Sequence, residues 1–180
     1  METPATPDLR SVLAEMHSAC FAWALACCRY DRTIAEDVLQ QAYLRILDGS
    51  ARFAGRSSTR TWVFGVIRRC AQEQRRRAAV RAALSGRVVA DLLARLVAPA
   101  TDVQYERARE VADVRRALQQ LSARQREVLE LVAYHELTIE EAAAIVGISA
   151  GSARTHYERG KRRLGALLEH RETATAGGGS

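Results

Sequence analysis

The segment Thr138–Arg163, TIEEAAAIVGISAGSARTHYERGKRR, has little freedom in how it can fold. Thr138 followed three residues later by Glu141 is a capping box, which predicts that a helix starts there. Ala142, Ala143, Ile145 and Val146 give that helix a small, tightly packable inner face. Gly147 supplies the positive φ that ends it, and Ile148 packs under the turn. Ser149 is then a good N-cap for a second helix.

At 100° per residue, Ala150, Ala153, Tyr157, Gly160, Leu164, Leu167 and Leu168 share one side of that second helix. Ser152, Arg154, Thr155, Glu158, Arg159 and Arg162 share the other. An inward apolar stripe backed by Arg, Ser and Thr suits a helix that enters a DNA major groove. Arg pairs bidentately with guanine, hydroxyls reach bases or phosphates, and Glu accepts from cytosine. A charge row alone would read as a solvated face; the capping box, glycine and serine at turn spacing favour the groove reading.

The 180 residues hold one ordinary domain or two small ones. A composition 48% hydrophobic with three prolines suits helical modules, and 27 Lys plus Arg against 21 Asp plus Glu leaves a formal charge of +6. Lys161 is the only lysine. Arg is the better reader of phosphate and guanine, but a GC-rich genome would raise its count as well, so position carries more weight than number. No apolar run approaches the roughly 20 residues that span a bilayer. METPATPDLR lacks the basic start and apolar core of a signal peptide. A cytoplasmic chain with reduced thiols is expected.

Taken in order, Met1–Pro7 reads as disordered, and Asp8 caps a helix with Leu9, Val12, Leu13, Met16, Cys20, Trp23 and Cys27 on its apolar face. His17, Cys20, Cys27 and Cys28 match no common zinc spacing, so the cysteines are assigned to core packing and no metal or cofactor is expected. Thr33 with Glu36 reads as a capping box for a helix from about Ile34 to Leu47, with Leu39, Ala42, Tyr43, Ile46 and Leu47 buried. Asp37, Gln40, Gln41 and Leu44 lie opposite, and an apolar residue centred on a polar face suggests protein docking, although single exposed leucines are ordinary.

A Gly-, Ser- and Arg-rich loop, Asp48–Thr59, precedes a helix from about Arg60 to Arg77 with Trp62, Val63, Val66, Ile67, Cys70 and Ala71 inward. Gly65, Arg68, Arg69, Gln72, Arg75 and Arg76 gather on the other arc with Thr61 at its upstream end, a one-sided basic stripe suited to a nucleic-acid backbone. Arg81–Asp102 reads as a linker with partial helix, broken at Ser85-Gly86. Two helices follow, Val103–Leu121 and Ser122–Tyr134, the second opened by a Ser122/Gln125 capping box. Its Val128, Leu129, Leu131 and Val132 share a core with the helix-turn-helix, which His135-Glu136-Leu137 joins to it. The expected fold is all-α: two small helical domains, 8–80 and 103–170, joined by a linker at 81–102, the second a helix-turn-helix, with a disordered tail at 171–180.

Three stretches together resemble the bacterial sigma factors of the extracytoplasmic-function class. AEDVLQQAYLRIL (Ala35–Leu47) is similar to that family's helix for the clamp coiled coil of RNA polymerase. FAGRSSTRTWVFGVIRRCAQEQRRR (Phe53–Arg77) resembles its promoter-melting and minus-ten segment. LSARQREVLELVAYHELTIEEAAAIVGISAGSARTHYERGKRRL (Leu121–Leu164) resembles its minus-thirty-five domain.

The resemblance implies that Asp37, Gln40, Gln41 and Leu44 dock on polymerase. It implies that Phe53, Arg56, Ser57, Ser58, Thr59 and Thr61 hold an extruded base, with Arg68, Arg69, Gln72, Arg75 and Arg76 along the strand. Ser152, Arg154, Thr155, Glu158, Arg159 and Arg162 would face the upstream element. The implied partners are core RNA polymerase (clamp coiled coil and flap), promoter DNA as duplex and single strand, and an anti-sigma factor, with no membrane. Ala153, His156, Tyr157 and Arg69 depart from the family's commoner residues, which bears on the DNA sequence read.

Another class would be a one-component regulator whose helix-turn-helix binds an operator without polymerase. An enzyme fits worse, since His17, His135, His156 and His170 lack nucleophile or carboxylate partners in pattern, and no glycine loop cradles phosphate.

Overall fold

The computed structural model describes residues 8–85 and 102–176, and among these all regular structure is helical. The first half comprises α1 (Leu9–Glu15), α2 (His17–Cys27), α3 (Arg32–Leu47) and α4 (Thr59–Ser85). The second comprises α5 (Asp102–Gln119), α6 (Ala123–Leu129), a π-helical turn (Glu130–Tyr134), α7 (Ile139–Val146) and α8 (Ala150–Ala176). Met1–Pro7, the Ser85-Gly86 break beyond Ser85, most of the linker and the last four residues of the tail lie outside the described residues.

Local signals set most helix starts. Asp8 accepts from the Arg10 amide, and both Ser122/Gln125 and Thr138/Glu141 form complete reciprocal capping boxes. The α3 start differs from expectation. Its N-cap is Asp31, whose carboxylate accepts from the Ile34 amide, so Thr33 lies inside the first turn. The expected first helix is divided at Met16 into α1 and α2. Helix α4 runs on to Ser85, into the stretch assigned to the linker, and α8 continues to Ala176, past the expected start of the tail.

Packing places Trp23, Cys20, Cys27, Val38, Ile46, Val63, Ile67 and Cys70 at the centre of the first half. Phe64 joins them, with no exposure, and Trp23 Nε1 donates to its carbonyl at 3.0 Å. Leu47, expected inward, is exposed instead, because Ala35, Val38, Leu39, Ala42 and Ile46 complete the buried stripe of α3. All four cysteines are free and buried, and burial raises the thiol of Cys20 to about 11 and that of Cys28 to about 12.

Although the sequence suggests two domains, their cores are continuous. Val128, Leu131 and Leu137 of the second half belong to the same buried cluster as Trp23 and Phe64 of the first. His135, buried between the halves, sets its ring edge-on to Trp23 and Phe64 at centroid distances of 6.0 and 4.9 Å. The turn between α2 and α3 carries two successive non-glycine residues in the left-handed region, Arg29 (φ 57°) and Tyr30 (φ 65°). Both are tied to the second half: Gln119 Nε2 donates to the Arg29 carbonyl at 2.9 Å, and the Tyr30 hydroxyl donates to Glu130.

Candidate nucleic-acid interface

The loop between α3 and α4 encloses a cavity of about 360 Å³ lined by Phe53, Arg56, Ser57, Thr61, Trp62 and Arg69 among others. That volume is at the scale of a small-ligand pocket. Phe53 leans on Trp62 with ring centroids 5.2 Å apart, giving an aromatic wall beside guanidinium groups. The α4 N-terminus is fixed by Ser58, whose hydroxyl accepts from the Thr61 amide at 3.1 Å and lies 2.8 Å from the Thr61 hydroxyl. Gly65 stands in the cavity wall with open space where a Cβ would be. Ala144 and Ile145 of α7, in the second half, also line the cavity.

The basic arc of α4 is divided in two. Arg69 and Arg76 are exposed. Arg68, expected on an open face, is buried: its Nη2 and Nε donate to Glu127 Oε2 at 3.0 and 3.1 Å. Arg75 Nη2 lies 3.6 Å from the other oxygen of the same carboxylate, and Arg124 approaches at 3.6 Å from within α6. Thr61 is also buried and donates toward Glu141 at 3.4 Å. Glu73, as its position implies, turns away from the arc and forms a two-bond pair with Arg45, which holds its carboxyl below the usual range.

The second helix of the helix-turn-helix has the expected geometry. Gly147 takes φ 68° and returns its amide to the Ala143 carbonyl at 2.8 Å, and Ser149 accepts from the Ser152 amide at 3.2 Å. Ala153 is fully buried and Gly160 packs against Gln125 of α6, whereas Ala150, expected inward, is exposed. Ser152, Arg154, Thr155, Glu158, Arg159 and Arg162 are all exposed on one side. The Ser152 hydroxyl accepts from that of Ser149 at 2.9 Å and the Thr155 hydroxyl donates to the Gly151 carbonyl at 3.0 Å, while the charged members make long, exposed ion pairs, Arg154 to Glu140 at 4.0 Å and Lys161 to Glu158 at 3.5 Å. On α3, Asp37, Gln40 and Leu44 are exposed and Gln41 half-buried, around a shallow cavity bordered by Gln74.

Sequence reasoning missed the seam between the halves: Tyr30, Arg126, Glu127, Glu130 and His135. Arg126 is 1% exposed, and burial holds its pKa down. Burial also lowers His135 to about 4, with Arg60 adding to the effect; Arg60 donates to the His135 carbonyl at 2.8 Å. The one available signal was charge placed at a core position, since Arg126 and Glu127 sit beside Val128 and Leu129 on a short helix.

Two family models match the chain: Sigma-70 region 2 over residues 13–81, and Sigma-70, region 4 over residues 112–164. The ECF RNA polymerase sigma factor SigX of Bacillus subtilis (strain 168) is 31% identical over 147 residues, spanning 79% of this chain and 73% of that protein. EcfG of Rhodopseudomonas palustris (strain TIE-1), also an ECF RNA polymerase sigma factor, is 28% identical over 134 residues, or 74% of this chain and 71% of that one. Among solved structures, the sigma factor RpoE from Bartonella quintana, crystallised with the anti-sigma factor NepR, matches with a TM-score of 0.71 at 27% identity, covering 90% of this chain and 97% of RpoE. CnrH, in complex with the cytosolic domain of CnrY, shares the fold with a TM-score of 0.63 at 22% identity, over 92% of each chain. Region 2 takes in the α3–α4 loop and the basic arc of α4, region 4 the exposed polar face of α8, and with both modules in order this chain belongs to the ECF RNA polymerase sigma factors.

Proposed function

We infer that this chain binds core RNA polymerase and directs it to promoters, with one surface for a parted strand and another for intact duplex. The observation that carries this is the pairing, in one chain, of an aromatic-walled, arginine-lined cavity with a separate exposed helix face of arginines and hydroxyls. In this reading Phe53, Arg56, Ser57, Ser58, Thr59 and Thr61 receive an unstacked base, and Arg68, Arg69, Gln72, Arg75 and Arg76 follow the strand. Capture drives melting. Unstacking a base costs about a few kcal/mol, offset by the fitted pocket and by cationic contacts to the backbone.

Ser152, Arg154, Thr155, Glu158, Arg159 and Arg162 read the upstream element in the major groove. Asp37, Gln40, Gln41 and Leu44 form the polymerase dock, supported by the exposure of Leu44 at 59% in the middle of a polar face. The chain supplies no reaction of its own, consistent with a family that is not enzymatic, and works where polymerase works, in the cytoplasm. No helix among the described residues is long and apolar enough to cross a membrane. An anti-sigma protein is a further partner, supported by the likeness to RpoE, which was crystallised with NepR.

Run-off transcription with purified core polymerase on a genomic library tests the reading. Initiation at a discrete set of templates, with tight promoter binding only when core is present, is expected. Tight operator binding by the chain alone would support the one-component regulator instead.

A further inference from the structure

Glu127 does what a nucleic-acid phosphate would do. Its carboxylate is 3.0 Å from Arg68 and 3.6 Å from Arg75, two of the arginines assigned above to the promoter strand. A carboxylate offers guanidinium the same planar pair of acceptors as two phosphate oxygens. We propose that Glu127 is a built-in phosphate surrogate that latches region 4 over the strand-binding arc of region 2, so that the free chain is shut and must open before it captures a strand. The proposal rests on the strand-capture reading given under Proposed function.

Three independent features support a latch. The pair is dry, with side-chain exposures of 9% for Arg68 and 2% for Glu127, so a phosphate reaches Arg68 only after α6 leaves. The same movement would uncover the cavity, whose far wall is Ala144 and Ile145, and release Thr61 from Glu141. Finally, the left-handed turn at Arg29 and Tyr30 is held by Gln119 and Glu130 from the second half, so closure stabilises a backbone that is unfavourable alone.

A buried ion pair is suited to this role. Compared with an apolar contact it adds little net stability, because desolvation offsets attraction, yet it is strict about geometry. The apolar core that the halves share holds the closed state together, and the ion pair sets the register that a competing partner must break. Core polymerase, by engaging both halves separately, would shift the balance, and the freed arginines would then meet the strand.

The test uses the full chain. Glu127→Gln and, separately, Tyr30→Phe are compared with the parent by small-angle scattering, by affinity for a fluorescent single-stranded oligonucleotide of its minus-ten sequence, and by run-off transcription with core polymerase. Helix content by circular dichroism checks the fold. Both variants should expand. Glu127→Gln should bind the oligonucleotide about tenfold or more tightly, as expected when a competent state moves from minor to major, and Tyr30→Phe less so. Transcription by holoenzyme should stay within about twofold, because the halves are already apart there.

Should Glu127→Gln lose its helices, Tyr30→Phe, which alters only the seam, carries the comparison. Unchanged dimensions and unchanged oligonucleotide affinity in the folded variants would overturn the latch. A parent chain that transcribes normally in that case leaves the functional reading standing, whereas a parent chain that initiates nowhere sinks that reading and the latch with it.

Discussion

Little holds Arg154 in the free chain, which suits the base-reading role proposed for it. Its side chain is 70% exposed and its nearest carboxylate, Glu140, is 4.0 Å away and 67% exposed, a pairing worth well under about 1 kcal/mol. Arg154→Ala should therefore cost about 1–3 kcal/mol of holoenzyme affinity on the preferred upstream element and little on scrambled ones. Equal losses on both, measured by competition binding, would identify a phosphate contact. His135 makes a different prediction. Its folded pKa of about 4 lies below the ordinary 6.5, so the unfolded chain takes up the proton first as pH falls. His135 thus contributes stability that is complete above about pH 6.5 and lost progressively toward pH 4, up to about 3 kcal/mol. Glu130, raised chiefly by burial, opposes this over the acid end of the range. Thermal unfolding between pH 7 and 4.5 should show the loss, and His135→Phe should flatten it.

At the scale of the element, α4 combines two demands that one residue separates. Gly65 lies in the helix interior with no atom near a prospective Cβ, so Gly65→Ala should stabilise the fold by about 0.5–1 kcal/mol. The added methyl also narrows the cavity, so affinity for a single-stranded minus-ten oligonucleotide should fall as the melting temperature rises. A variant that gains both would argue against base capture there. On α3, Asp37→Ala with Leu44→Ala should abolish co-purification with core polymerase while leaving the circular dichroism spectrum unchanged. What the sequence disclosed about these elements was local. Capping boxes at Ser122 and Thr138, the turn at Gly147 and the outward face of α8 all depend on neighbours within one or two turns. Asp31 competed successfully with Thr33 for the α3 cap because its carboxylate reaches Ile34 from outside the helix. The burial of Arg68 could not be read locally, since its partner lies 59 residues away.

For the molecule as a whole, a shared core predicts shared unfolding. Trp23, Phe64, Val128 and Leu131 belong to one cluster, so calorimetry of the free chain should show a single transition, with calorimetric and van't Hoff enthalpies in agreement. Two resolved transitions would mean that the halves are thermodynamically separate. That the chain carries two helical modules was legible in the sequence; the docking of one on the other was not, because it depends on side chains whose closest partners lie far along the chain, as Arg68 and Glu127 do, or Tyr30 and Glu130. The carboxylate of Glu127 also has a consequence for how such molecules are distributed in a cell. With Arg68 buried against that carboxylate and one positive charge of the arc offset, an unattached copy displaces fewer counterions from the chromosome, and its non-specific adhesion is correspondingly weaker. The genome, with its vast excess of decoy sites, then becomes a poor sink for idle copies, and more of them remain free to meet a polymerase.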